Sequence, residues 1–190
     1  MVLSYLLDFF KLLARLASLM IGSGVDGDEY ENLCKKYDAM TGARQMDASE
    51  LICKLQSDDG EVLVLIDARG QVERNVSTIK GSLLLEPIIG LTSTAFNAED
   101  EANLRSRLMK IPKARVVCFC TAGLRSGYVS KELEKRWDRN VFNLHGGIIA
   151  FANAGGKLVR PQSACKQTSK VHTYGETWAK YVEPPNEAVY

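Results

Sequence analysis

The sequence lacks the residues that would build a metal framework or a disulfide scaffold. Only two of its 190 residues are histidines, His145 and His172, and they lie far apart. The five cysteines, Cys34, Cys53, Cys118, Cys120 and Cys165, include no C-x-x-C pair. Those spacings fit no zinc site, and an odd count cannot close fully into intrachain disulfides. Free thiols in a reducing compartment are the simpler reading, so a cytoplasmic location is expected. Charge of one sign is missing too: 24 Lys+Arg against 23 Asp+Glu leave a net +1. Without a basic run, no nucleic-acid partner is expected. Repeats and low-complexity tracts are absent. What remains, with 46% apolar residues, is an ordinary globular composition long enough for one domain with its own core.

No long apolar run is free of charge either. Residues 2–21 are the greasiest stretch, but Ser4, Asp8, Lys11, Arg15 and Ser18 recur at three- and four-residue spacing. That pattern predicts an amphipathic helix with a wide apolar face. Three charges near mid-bilayer, at about 2.5–3.5 kcal/mol each, disfavour a membrane span. A secretory signal would carry its positive charge before the apolar run. The helix is expected to pack on its own domain or a second copy. Peripheral membrane attachment and a cleaved mitochondrial presequence are the alternatives. Gly22-Ser23-Gly24 reads as a hinge.

Residues 25–45 read as a polar lead-in with helical character around Glu29–Asp38. Asp47-x-x-Glu50 has the spacing of a capping box before Leu51, Ile52 and Leu55. Val62-Leu63-Val64-Leu65-Ile66 is too short for a buried helix and predicts a strand covered on both faces. Asp67-Ala68-Arg69-Gly70 follows at its C-terminal end, the edge where α/β sheets carry their sites. A short helix over 71–76, a strand at Leu83-Leu84-Leu85 and a charged helix over 98–109 come next. Acids in the first turn of that last helix suit its dipole.

The chemistry concentrates after the next strand, Arg115-Val116-Val117-Cys118-Phe119. It runs into Cys120-Thr121-Ala122-Gly123-Leu124-Arg125-Ser126, and a helix is expected over 125–137. A cysteine at a strand tip, before a glycine-containing loop and a helix N-terminus, is set where thiolate charge can be held. Backbone N–H groups, the helix dipole and the Arg125 charge all contribute. Cys118, inside the apolar run, reads as a small core residue. Val141-Phe142-Asn143-Leu144 predicts a last strand, and His145-Gly146-Gly147 opens a further helix over 148–154.

Leu65-Ile66-Asp67-Ala68-Arg69, Ile79-Lys80-Gly81-Ser82, the stretch from Val117 to Ser126, and Asn143-Leu144-His145-Gly146-Gly147-Ile148 occur in this order. Together they resemble the "L-I-D-x-R", "I-x-G-A", "C-x-x-G-x-R-S" and "N-L-x-G-G-I" motifs of the rhodanese-like sulfurtransferase family. The resemblance covers about residues 46–157, leaving 1–24 as helix and hinge, 25–45 as lead-in and 158–190 as an aromatic tail. It implies an α/β fold: a small parallel sheet of about five strands with helices on both faces. Mapped by position, Cys120 corresponds to the sulfur-carrying cysteine. Thr121, Ala122, Gly123, Leu124 and Arg125 correspond to the active-site loop. Asp67 and Arg69 match a supporting acid–base pair, with Ser126 and His145 alongside. Ser82 replaces an alanine. Neutral Thr121 and Ala122 stand where some thiosulfate-using members carry basic residues.

The expected activity is therefore transfer of a sulfane sulfur from thiosulfate or a persulfide to a thiol or cyanide. Cys120 would carry the sulfur as a persulfide, and Arg125 would orient an anionic donor. No metal or organic cofactor is implied. Expected partners are a small sulfur donor and a thiol acceptor, with membrane or self-association through residues 2–21. A phosphatase or arsenate reductase on the same fold is disfavoured, because those need Cys-x5-Arg and this loop is Cys-x4-Arg. A non-catalytic binding module usually lacks the cysteine. His172, Tyr174, Trp178 and Tyr181 are expected to pack back onto the domain, a partner or membrane contact being the alternative. Cys165 reads as a lone exposed thiol, and the residues from Pro184 onward as loose.

Overall fold

The computed structural model describes residues 27–58, 60–89, 94–163 and 166–190. The expected helix over 2–21, the hinge at 22–24 and Cys165 lie outside these described residues. Among the described residues, no helix is long and apolar enough to cross a membrane.

Five strands form the central sheet: β1 (Arg44–Met46), β2 (Leu63–Asp67), β4 (Leu83–Leu84), β7 (Arg115–Phe119) and β8 (Val141–Leu144). Their order is β1-β8-β7-β2-β4 and every pairing is parallel. Alternate side chains of the two central strands feed two separate cores. Leu65, Val117 and Phe119 face one side; Ile66, Val116 and Cys118 face the other. This is why β2 and β7 read as unbroken apolar runs. Helices cover both faces, as expected. On one side lie α2 (Ala48–Gln56) through Leu51 and α6 (Gly147–Asn153) through Ile148, Ile149 and Phe151. On the other lie α4 (Ala98–Met109) through Leu104 and Leu108 and α5 (Leu124–Trp137) through Val129 and Leu133. Between β2 and β4 run the short helix α3 (Gln71–Val76) and strand β3 (Thr78–Ile79). A hairpin of β5 (Pro87–Ile89) and β6 (Thr94–Phe96) follows β4.

The structure departs from the sequence reading at both ends. The helical character expected around Glu29–Asp38 is there and extends over helix α1 (Gly27–Thr41), but the lead-in is followed by an unexpected edge strand, β1. Helix α1 buries Leu33, Cys34, Tyr37 and Thr41, one stripe at helical spacing. The tail beyond 158 is also folded. Strand β9 (Leu158–Val159) pairs antiparallel with both β3 and β10 (Gln167–Thr168). Strand β11 (Lys170–His172) pairs with β12 (Glu187–Val189), so the last residues are not loose. Val171 is fully buried in the core. Trp178 and Tyr181 do pack back on the domain, on Tyr37 and Tyr30 of α1, with ring centroids 6.1 and 4.8 Å apart. The expected capping box at Asp47 is not made: its side chain caps nothing, and Glu50 pairs with Arg115 instead.

At the C-terminal end of β2, Asp67 and Arg69 form a fully buried ion pair. Arg69 Nε donates to Asp67 Oδ1 at 2.9 Å and Nη2 to Oδ2 at 2.8 Å. Asp67 also accepts from Thr78 Oγ1 at 2.7 Å, and Arg69 Nη2 donates to the Ser77 carbonyl at 2.6 Å. The pair thereby ties β2 to the turn before β3. Removing one member of such a pair leaves the other charge buried alone. Asp67→Ala should lower stability by about 3–5 kcal/mol, and Asp67→Asn by less, because its amide oxygen still accepts from Arg69. Urea unfolding with an unchanged m-value checks this.

Candidate active site

Residues 120–125 join the tip of β7 to helix α5, and the loop is buried: Cys120 is 2% exposed. Gly123 has φ +96 and serves as the N-cap of α5, a left-handed conformation that a Cβ disfavours. That turn points its N–H back at the sulfur, 3.2 Å from Cys120 Sγ. Ile148 N–H donates to the Cys120 carbonyl at 2.8 Å and Ile149 N–H to the Thr121 carbonyl at 3.3 Å. The first amides of α6 thus pin the loop from behind. A Cβ at Gly147 would run into the Cys120 carbonyl oxygen and into Thr121, so Gly147 is what lets the two segments touch.

The outer side of the loop is held by one ion pair. Arg125 Nη1 donates to Glu73 Oε2 at 2.7 Å, and Nη2 to Oε1 at 2.6 Å. Thr121 Oγ1 donates to Glu73 Oε1 and accepts from Arg125 Nη2, both at 3.0 Å. Glu73 sits in the first turn of α3 and also accepts the Gly70 N–H at 3.1 Å. Burial by itself would raise the Glu73 carboxyl, but the facing Arg125 guanidinium outweighs it and holds the group down at about 2. Arg125 is also buried, yet Glu73 keeps it firmly protonated.

The expected site residues therefore sort as follows. Cys120, Thr121, Ala122, Gly123, Leu124 and Arg125 form one loop, but Arg125 is engaged by Glu73 rather than turned outward to a donor. Ser126 is buried behind the loop, donating to Asn143 Oδ1 at 2.6 Å. Asn143 Nδ2 in turn donates to the Gly123 carbonyl at 3.1 Å. Asp67 and Arg69 support the end of β2 and do not touch the cysteine. His145 does not line the loop. Its ring nitrogens meet Asp38 at 2.6 Å and Glu31 at 2.9 Å, both on α1, because the backbone turns over at Gly146 (φ +64). Cys118 is fully buried in the core beside Val116 and Ile66, and burial pushes its thiol up to about 12.

Sequence reasoning missed three contributors. Glu73 carried a signal, a first-turn acid on the helix that follows a site-edge strand. Asn143 stood within a quoted motif without a role. Tyr174, expected only to pack back onto the domain, lies over the Arg125 guanidinium, 5.0 Å from carbon to ring centroid, and no spacing rule could have assigned it to the site. Among the described residues no group of His, Cys, Asp or Glu is arranged to hold a metal.

Residues 49–154 match the family described as the rhodanese-like domain. A tRNA uridine(34) hydroxylase of Xanthomonas oryzae pv. oryzae is 35% identical over 103 residues, covering 54% of this chain and 38% of that protein. Its counterpart in Kocuria rhizophila is 31% identical over 97 residues, 51% of this chain and 31% of its own length. The chain thus spans well under half of the relatives it matches. Among solved structures, an As–Sb reductase from Leishmania major superposes with a TM-score of 0.50 at 19% identity, over 64% of this chain and 94% of that one. A thiosulfate sulfurtransferase from Pseudomonas aeruginosa gives a TM-score of 0.48 at 23% identity, over 69% and 23%. At these identities the likeness is one of fold.

Glu73 also sets an acid limit. Its carboxyl is held below the unfolded value of about 4.3, so its contribution is complete above that pH and is lost as pH falls toward 2. On the order of 3 kcal/mol should disappear over this window. In Glu73→Gln the loss should be absent, read as the difference between the two stability–pH curves from urea unfolding.

Proposed function

The chain belongs to the rhodanese-like family, and from that premise we propose that it is a sulfurtransferase carrying a sulfane sulfur on Cys120 as a persulfide. The observation that carries this reading is the Gly123 N–H directed at Cys120 Sγ from a Cys-x4-Arg loop. A donor N–H at that place holds negative charge on sulfur before, during and after transfer.

The Cys120 thiolate attacks the outer sulfur of the donor. The donor's S–S bond breaks, and its leaving group departs with the electron pair, as sulfite from thiosulfate or as a thiolate from a persulfide. Cys120 then bears –S–S⁻. An acceptor thiolate or cyanide attacks the terminal sulfur, forms the new bond to it and releases the Cys120 thiolate. The cycle is ping-pong and redox-neutral. Arg125 and Glu73 shape the loop, while the amides of α6 hold its backbone still. The phosphatase and arsenate reductase readings are less well supported. A tetrahedral oxyanion needs a wider ring of N–H groups than a Cys-x4-Arg loop offers, and the likeness to the As–Sb reductase is one of fold.

A second reading comes from the curated relatives named tRNA uridine(34) hydroxylase. It is a different reaction, on a nucleic acid, and the match covers 38% and 31% of those proteins' lengths.

After thiosulfate or cysteine persulfide treatment, the intact protein should gain about +32 Da on Cys120. The Cys120→Ser variant should gain nothing, and its transfer to cyanide or a thiol should fall by on the order of 10³ or more. Cys120-dependent hydroxylation of a tRNA uridine, with no sulfur ever loaded, would favour the second reading instead. A non-catalytic binding module would leave both assays blank.

A further inference from the structure

The C-terminal region beyond the family match reaches the candidate site at Tyr174, whose ring lies over the Arg125 guanidinium. We propose that Tyr174 is a positioning residue that keeps Arg125 committed to Glu73, and that the neutralised loop so formed selects alkyl persulfides over the thiosulfate dianion. This rests on the sulfurtransferase reading.

The charge argument comes first. Arg125 is the only cation within the loop, and both its terminal nitrogens are engaged by Glu73, with Thr121 sharing Nη2. Both side chains are largely buried, 15% and 5% exposed. The pair sums to zero charge, and the other loop residues, Thr121, Ala122 and Leu124, are uncharged. A thiosulfate dianion that leaves water for this loop finds N–H dipoles but no uncommitted cation, which makes its desolvation costly. A persulfide donor such as cysteine persulfide carries a net single negative charge, on the reacting sulfur, where the Gly123 N–H lies.

The placement of Tyr174 is built rather than incidental. Its φ is +66, a left-handed conformation that a bulky residue adopts only when its surroundings impose it. Those surroundings are visible. Val171 anchors strand β11 in the core. Thr173 N–H donates to the Val189 carbonyl at 2.9 Å, and Thr173 Oγ1 to the Gly175 carbonyl at 3.1 Å. Tyr174 N–H donates to His172 Nδ1 at 3.0 Å. That bond needs a neutral imidazole with its proton on Nε2. Burial lowers the His172 pKa; Glu73 opposes this, and nearby Arg69 and Arg125 reinforce it. The imidazole is thereby kept as an acceptor, and the turn sets the Tyr174 ring over the Arg125 guanidinium. A cation on an aromatic face is attracted to it and shielded from water on that side, so Arg125 stays with Glu73 instead of swinging to a donor anion.

The test uses the full chain and follows Cys120 persulfide formation by rapid-quench mass spectrometry, with thiosulfate and cysteine persulfide as donors. The wild-type second-order rate constant should favour cysteine persulfide by about tenfold or more. For thiosulfate it should change less than about twofold between ~20 and ~200 mM salt, as expected without a free cation. Tyr174→Ala should cut the persulfide preference by about fivefold, through a lower half-saturation for thiosulfate at an unchanged maximal rate. Tyr174→Phe, which keeps the ring face, should restore the wild-type ratio. Glu73→Gln should shift it further and steepen the salt dependence. A wild type that prefers thiosulfate, or an unmoved ratio in Tyr174→Ala, overturns the proposal while leaving sulfur transfer intact. If neither donor loads Cys120, the proposal and the sulfurtransferase reading fall together. Should the variants not fold, the wild-type ratio and its salt dependence decide alone.

Discussion

The Glu73–Arg125 ion pair is the interaction on which the rest of the site depends. It links a short helix after the central strand β2 to the far end of the cysteine loop, and it is buried on both sides. A buried charge without its partner is among the costliest defects a small domain can carry. The two elements are therefore locked in register, and Thr121 is drawn into the same network. The pair has a chemical consequence as well. It uses up the loop's cation, so the charge that meets sulfur comes from a backbone amide rather than a side chain.

The backbone geometry follows from close approach. Gly123 and Gly147 let the cysteine loop and the start of α6 come together so that two N–H groups meet two loop carbonyls. Behind them, Ser126 and Asn143 hold the Gly123 carbonyl. The extensions on either side of the family region brace the site from outside. Helix α1 closes one flank, with Tyr30 Oη donating to the Gly146 carbonyl at 2.6 Å and His145 gripped by Asp38 and Glu31. The C-terminal turn closes the other flank with Tyr174. These extensions meet each other through Tyr30, Tyr37, Trp178 and Tyr181, which explains why the aromatics of the tail face inward.

Much of this was legible in the chain. The strands expected at 62–66, 115–119 and 141–144 and the helices expected at 71–76, 98–109 and 125–137 follow from apolar runs, turn residues and charge patterning, and each lies within one residue of the observed element. Each signal is local, and each element is buried enough to need it. The reading failed where the signal was diluted. Tyr30, Leu33, Cys34, Tyr37 and Thr41 form a helical stripe, but polar residues between them diluted it, so α1 read only as helical character around Glu29–Asp38 and not as a helix packed on the core. Edge strand β1 and the two-residue strands β9 and β10 are too short to show a period. At Asp47 the capping-box spacing is present, but Glu50 has a stronger partner in Arg115.

The sequence alone, through its resemblance to a family, indicated the fold class and placed Cys120, Gly123 and Arg125 in one loop. The Cys, Gly and Arg of such a loop lie within a few residues of one chain segment, so order and spacing suffice to place them together. Tertiary structure decided what each charged and aromatic group does there. Arg125 faces Glu73, 52 residues away in sequence, His145 turns to α1, and Tyr174 arrives from outside the family region. Side-chain direction and long-range contacts depend on how strands cross and where backbones turn, and no local pattern encodes either.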